Sequence, residues 1–159
     1  MGHAINALVL QAAAEEALLA RMPRAKSIHL GHGLCLVPIT DEMLDMITTA
    51  VSRLDDADRE FGSGAFAKFS DELQVLVEAV ARHGLVAYVE TDYFGGTGEQ
   101  AAAVWGKGSV LLRPQKDKRG PINAALRLLG VSAALGTDEF DTLGLGQHRS
   151  NDGWLAGSG

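Results

Sequence analysis

The stretch LVAYVETDYFGGTGEQAAAVWGKGSVLLR, residues 85–113, decides the fold. It contains three segments with strand-forming character, at residues 85–92, 99–105 and 109–113, of which the first is rich in valine and tyrosine. Gly106, Lys107 and Gly108 predict a three-residue hairpin loop between the second and third segments. Three successive strands joined by short connections predict an antiparallel meander.

The N-terminal half predicts two helices and one strand. Residues 4–22 form an apolar, alanine-rich run that ends before Pro23, so residues 1–22 are predicted to hold an N-terminal helix. Residues 27–39 predict a strand that bends at its two glycines and resumes. Thr40 precedes two acidic residues and a helical apolar pattern, which predicts the N-cap of a second helix.

The rest of the chain adds helices to the meander. Ser70 predicts the N-cap of a third helix. Gly120 and Pro121 open a fourth helix, which Gly130 and Val131 close in a Schellman motif. The chain is therefore predicted to be one α+β domain over residues 1–159, with a loose tail at 157–159. Its sheet is mostly antiparallel, a three-strand meander plus an N-terminal strand, with helices covering one face.

Composition limits the classes of function. The 159 residues are 47 % apolar and can bury a core without disulfides, which a single cysteine could not form anyway. The net charge of −6 argues against nucleic-acid binding, because phosphate contacts need a basic surface. No apolar run is long enough to cross a membrane, and the N-terminus lacks the basic segment of a secretory signal. We expect a cytoplasmic protein that binds neither nucleic acid nor membrane.

The glycine-rich run at residues 92–100 is the most unusual segment. A phosphate-binding loop would lead into a helix, whereas this run leads into a predicted strand. The favoured interpretation is therefore a strand connection whose glycines adopt positive φ or form a bulge. The alternative is a recognition loop that displays Tyr93 and Phe94, because exposed aromatic residues anchor interfaces.

Histidine and cysteine give no strong chemical signal. His29 and His32 are three residues apart, which in a strand places them on opposite faces, and no further zinc ligands are evident. Cys35 lies among apolar residues and predicts a buried thiol. His148, Ser150 and Asp141 lack the sequence context of a catalytic triad. We therefore expect no metal, no cofactor and no catalytic residue.

Charge is distributed unevenly, and this suggests where a partner would bind. Residues 55–60 are almost all acidic, and an acidic surface can steer a basic protein partner into place. Together with the glycine-rich run, this segment supplies the predicted partner-binding residues: Asp55, Asp56, Asp58, Glu60, Asp92, Tyr93, Phe94 and Glu99.

Three C-terminal segments carry a resemblance to known proteins. The runs at residues 88–100, 122–131 and 138–145 resemble those of small bacterial proteins of the immunity or toxin-neighbour type. The resemblance covers about the C-terminal half of the chain. It implies a small cytoplasmic bacterial protein whose task is to bind another protein.

Two functional hypotheses follow. The first is a non-enzymatic protein-binding module, of which an immunity protein that neutralises a partner toxin is one form, with a basic or neutral partner surface. The alternative is a small-molecule-binding domain or enzyme with a pocket between the glycine-rich run and the segment around His148 and Arg149. A homo-oligomer formed through the apolar N-terminal helix is a further expectation, if that helix has no place in the core.

Overall fold

The computed structural model describes residues 2–51, 70–94, 97–107 and 109–157. Six strands and six α-helices lie within these ranges. The strands are β1 (Asn6–Gln11), β2 (Ile28–Gly31), β3 (Leu34–Pro38), β4 (Val86–Phe94), β5 (Thr97–Gly106) and β6 (Ser109–Asp117). The helices are α1 (Ala12–Arg21), α2 (Asp41–Val51), α3 (Asp71–Val80), α4 (Pro121–Leu128), α5 (Glu139–Leu143) and α6 (Asn151–Gly157), and a 3₁₀ turn covers Leu145–Gln147.

The strands form one sheet in the order β2-β3-β1-β4-β5-β6, and every neighbouring pair is antiparallel. Strands β4, β5 and β6 are consecutive in the chain and adjacent in the sheet, so the predicted meander is confirmed. The α+β class with an antiparallel sheet in a single domain is confirmed as well. Strand β1 joins the meander to the hairpin of β2 and β3, because it pairs with both β3 and β4.

The N-terminal helix predicted over residues 1–22 is wrong in its first half. Residues Asn6–Gln11 form β1, near the middle of the sheet, and the helix begins only at Ala12. Residues 7–10 are buried on both faces, and a strand covered on both faces has a continuous apolar sequence that periodicity cannot distinguish from a buried helix. Because β1 and the inner side of α1 lie in the core, they do not supply the exposed apolar surface on which the predicted homo-oligomer depended.

Helices cover both faces of the sheet, so the prediction of one covered face needs correction. Alternate residues of β1 point to opposite sides. Leu8 and Leu10 pack with α1, α2 and α3, whereas Ala7 and Val9 pack with α4, α5 and α6. We call the first side the α1–α3 face and the second the α4–α6 face. Both faces are covered because the helices after β6 pack on the side of the sheet that the first three helices leave open.

Several predicted helix ends are confirmed in atomic detail. The Thr40 and Ser70 hydroxyl oxygens accept hydrogen bonds from the backbone N–H groups three residues further on. Pro121 occupies the first turn of α4, and Gly130 has a φ of +98° just after it. The Val131 N–H donates to the carbonyl of Leu126, which is the bond that defines a Schellman end. In the described part of the chain, no helix is both long enough and apolar enough to span a bilayer.

Candidate functional site

The α1–α3 face of the sheet changes from apolar to acidic along β4. Val86 and Tyr88 are buried on this face, in the core beneath the helices. Because side chains alternate along a strand, Glu90 and Asp92 continue the same row toward the end of β4. Asp92 is exposed, whereas Glu90 is only 7 % exposed. The row therefore leads directly from the hydrophobic core to a group of carboxylates.

These carboxylates belong to a cleft of about 630 Å³, which we call the acidic cleft. Its walls come from β4 and β5, from the beginning of α2 and from the beginning of α6. Five acidic residues and one lysine line it: Asp41, Glu90, Asp92, Glu99, Asp152 and Lys116. The described residues that line it include no histidine or cysteine. Its composition suits the binding of cations better than nucleophilic catalysis.

Glu90 forms the floor of the acidic cleft and is held by Tyr88. The Tyr88 hydroxyl donates a hydrogen bond of 2.6 Å to Glu90 Oε2. Burial raises the pKa of Tyr88, and the charge of Glu90 raises it further, so the hydroxyl remains a proton donor at all ordinary pH values. A buried carboxylate needs such a donor, because burial without a hydrogen bond is costly.

Asp92 and Glu99 face each other across β4 and β5. They are direct partners in the strand register, so their side chains leave the same face of the sheet next to each other. Both side chains are exposed, and neither forms an ion pair with any residue in the described ranges. Like charges in directly opposed positions destabilise a sheet. The fold therefore places two carboxylates in opposed positions at the edge of the cleft.

The wall opposite this pair is built by the C-terminal segment. Asn151, at the start of α6, accepts a hydrogen bond from the backbone N–H of Asn6 at 3.0 Å. Its side-chain amide also donates to the carbonyl of Ile39 at 3.2 Å. Asn151 is thus bonded to the first residue of β1 and to the residue that follows β3, and these bonds hold the neighbouring Asp152 at the cleft.

The predicted partner-binding residues separate into three groups. Asp92 and Glu99 lie together in the acidic cleft. Phe94 follows Asp92 in the same row and is 78 % exposed, whereas Tyr93 points to the α4–α6 face and is half-buried. Asp55, Asp56, Asp58 and Glu60 lie outside the described residues.

Tyr93 has an internal role that the sequence did not reveal. Its hydroxyl donates to the carbonyl of Lys118 and accepts a hydrogen bond of 3.1 Å from the Gln100 side-chain amide. Gln100 Oε1 in turn accepts from the backbone N–H of Ile122 at 2.9 Å. These bonds connect the β4–β5 hairpin to the beginning of α4, so Tyr93 contributes to the fixed geometry of the hairpin.

The glycine-rich run connects two strands, as the favoured interpretation predicted. Strand β5 begins at Thr97 and no helix follows Gly98, so a helix-borne phosphate cradle is excluded there. Gly98 has a φ of +149°, and a Cβ atom on it would lie 2.0 Å from the carbonyl oxygen of Asp92. Glycine is therefore required at position 98, because a side chain there would collide with the backbone of β4.

The polar residues near the tail have structural roles. The His148 ring packs edge-on against Trp154, with 4.7 Å between the ring centroids. Ser150 Oγ accepts a hydrogen bond from the Gly153 N–H, and the Arg149 carbonyl accepts one from the Ala4 N–H. In the described part of the chain Arg149 forms no ion pair; the bridge at this end joins Arg127 to Glu139 at 2.8 Å.

A second cluster of polar side chains lies at the other end of β3. Glu15, His29 and Cys35 place their ligand atoms within 4.8 Å of one another. Burial and the neighbouring Glu15 raise the pKa of Cys35 to about 11. Burial of Glu15 acts to raise its own pKa, but hydrogen bonds from Cys35 and Ser27 and the nearby His29 outweigh it, so its pKa is lowered. His32, which the sequence paired with His29, occupies the hairpin turn and is not part of the cluster.

Comparison with protein-family models, with curated proteins and with solved structures finds no match to this chain.

Proposed function

We propose that this protein is a binding module that recognises a basic segment of a partner protein in the acidic cleft. The observation that carries the proposal is the cross-strand pair of Asp92 and Glu99, two like charges without an ion pair among the described residues. Such a pair costs stability in the free protein, and a cationic side chain placed between the two carboxylates would remove that cost.

The surroundings of the pair support a protein partner. Phe94 leaves the same face two residues beyond Asp92 and is 78 % exposed. An exposed aromatic side chain beside charged groups is typical of an interface anchor. Five carboxylates against one lysine would also accelerate the approach of a basic partner by electrostatic steering.

The experiment uses the full chain and a short peptide of lysine, arginine and leucine as the probe. Binding is followed by backbone amide chemical shifts, which we expect to change at residues 90–92 and 98–101. Asp92→Asn and Glu99→Gln should each weaken binding by about two- to fivefold, the value of one partly exposed ion pair. The matched control is Glu16→Gln, which removes an exposed charge on α1 and should leave the affinity unchanged. Equal loss in all three variants would mean that only net charge matters and would contradict a specific site.

The small-molecule alternative is favoured by the size of the cleft. A volume of about 630 Å³ is within the range of sites for small ligands. The cleft is lined by residues of the glycine-rich run and by residues 150–152 of the tail, whereas His148 and Arg149 do not line it. Spermidine is a suitable cationic probe. Phe94→Ala distinguishes the two functions: it should weaken peptide binding but not spermidine binding, because Phe94 does not line the cleft.

We further propose that the partner is a toxin and that binding blocks its activity in the bacterial cytoplasm. The support is the resemblance of three C-terminal segments to immunity-type proteins, together with the acidic binding surface. Co-expression with a basic toxin encoded beside this protein should restore cell growth, and Asp92→Asn combined with Glu99→Gln should reduce that protection. Unchanged protection by the double variant would assign the toxin contact to another surface.

A further inference from the structure

Glu15, His29 and Cys35 come from three different elements and meet on the α1–α3 face of the sheet. His29 and Cys35 are direct register partners in the β2–β3 hairpin, so their side chains leave the same side. Leu34 and Leu36 pack on the α4–α6 face, which places Cys35 on the opposite side, under α1. Glu15 reaches down from α1 and completes the group.

The spacing of the donor atoms matches a tetrahedral metal site. Cys35 Sγ and His29 Nδ1 are 3.5 Å apart. Zinc bonds of about 2.3 Å to sulfur and about 2.0 Å to nitrogen, at a tetrahedral angle, place the two donors about 3.5 Å apart. All three donors lie within 4.8 Å of one another, so the carboxylate has to approach by at most about 1.5 Å to complete the geometry.

The chemistry of the donors selects the class of metal. Thiolate and imidazole are ligands for zinc and related transition metals, whereas magnesium and calcium prefer a shell made only of oxygen atoms. The Ser27 hydroxyl donates to Glu15 Oε2, an outer contact of the kind that fixes the orientation of a ligating carboxylate. His29 is exposed, so a metal ion and water can reach the group from solvent.

We propose that Glu15, His29 and Cys35 bind one Zn²⁺ ion through a carboxylate oxygen, Nδ1 and Sγ, with a water molecule as the fourth ligand. The cysteine thiol loses its proton to solvent when the sulfur–zinc bond forms, and no electron is transferred. The ion ties α1 to the β2–β3 hairpin. The site is independent of the proposed binding function, because it lies near the start of β3 whereas the acidic cleft adjoins Thr40, beyond its end.

Cobalt titration of the metal-free full-length protein tests the proposal directly. Cobalt(II) reports a sulfur ligand through a charge-transfer band in the near ultraviolet, and Cys35 is the only cysteine that could give one. We expect one equivalent of Co²⁺ to saturate the band and Zn²⁺ to displace it. Glu15→Gln and His29→Gln should each weaken Co²⁺ binding by about tenfold or more.

The control is His32→Asn, which removes a neighbouring exposed histidine outside the cluster and tolerates the positive φ of +55°. This variant should keep the affinity and the band. Zn²⁺ should also raise the melting temperature of the native protein and of His32→Asn. At the same concentration it should raise that of Glu15→Gln less, because this variant keeps the thiol in place but binds the ion more weakly. Absence of a charge-transfer band in the folded native protein, or equal loss of affinity in His32→Asn, would overturn the site and leave the three residues as a hydrogen-bonded contact between α1 and the hairpin.

Discussion

Neutralising either member of the Asp92–Glu99 pair should stabilise the protein in low salt. Two unit charges about 6 Å apart in water-like surroundings repel by about 0.7 kcal/mol. The destabilisation by directly opposed like charges in a sheet is of the same size. The exposure of both side chains reduces this repulsion. We therefore expect Asp92→Asn and Glu99→Gln each to raise the free energy of unfolding by about 0.5 kcal/mol. For 159 residues the unfolding entropy is about 0.33 kcal/mol/K, and the gain corresponds to a rise in Tm of about 1.5 °C.

Thermal unfolding of the single variants, the double variant and Glu16→Gln measures this effect. The double variant should be no more stable than either single variant, because one substitution already removes the repulsion. In 1 M NaCl the screening length is about 3 Å, so the gain should fall to about 0.1 kcal/mol. Glu16→Gln corrects for the change in net charge. A lower Tm in low salt for either single variant, or a gain that persists at high salt, would refute the repulsive pair and with it the main support for the binding site.

Three further variants test other parts of the structure. Gly98→Ala should destabilise the protein by about 1–3 kcal/mol in urea unfolding, because the new Cβ would collide with the backbone oxygen of Asp92. An unchanged urea midpoint of unfolding would contradict this close approach. Asn151→Ala should lower the free energy of unfolding by about 1–2 kcal/mol and increase amide exchange at the start of α6, because the side chain loses its hydrogen bonds to Asn6 and Ile39. Unchanged amide exchange there would show that α6 is held by other contacts. Cys35 should react slowly with a thiol reagent at pH 8 in the presence of a chelator, because a pKa raised from 9.0 to about 11 reduces the thiolate fraction about a hundredfold. Glu15→Gln removes one cause of that shift and should accelerate the reaction, so equal rates would exclude an influence of this carboxylate on the thiol.

The meander and the ends of α4 could be predicted because their signals are local. Valine- and tyrosine-rich segments, a short glycine loop and a helix flanked by Gly120 and Gly130 each specify their own conformation. Strand β1 could not be predicted in the same way. Its sequence, NALVLQ, is continuous in apolar residues and runs directly into the alanines of α1, so only the pairing with β3 and β4 shows that it is a strand.

In the two candidate sites, the sequence could indicate which residues lie together only where those residues are close in the chain. Asp92 and Glu99 flank one hairpin, and their position beside the glycine-rich run was sufficient to select them. His29 and Cys35 could have been paired across the β2–β3 hairpin, but Glu15 comes from α1 and nothing in its local sequence indicates this contact. Asp152 reaches the acidic cleft through contacts between residues more than 100 positions apart, which one sequence does not reveal.

The acidic cleft is where this fold departs most from what stability alone would favour. A central strand such as β4 is buried on both faces, and apolar residues at each position would pack against the neighbouring helices at lower cost than a carboxylate. The chain instead places Glu90 in that row, bonds it to Tyr88, and adds Asp92 opposite Glu99 where the strand emerges into solvent. The burial of Glu90 and the opposition of Asp92 and Glu99 lower the stability of the free protein, and the Tyr88 hydroxyl offsets part of the first cost. In the proposed function, a positively charged ligand offsets the rest. The concentration of these costs at one end of the sheet, while the rest of the same face is well packed, supports the proposal that the acidic cleft binds a cationic group.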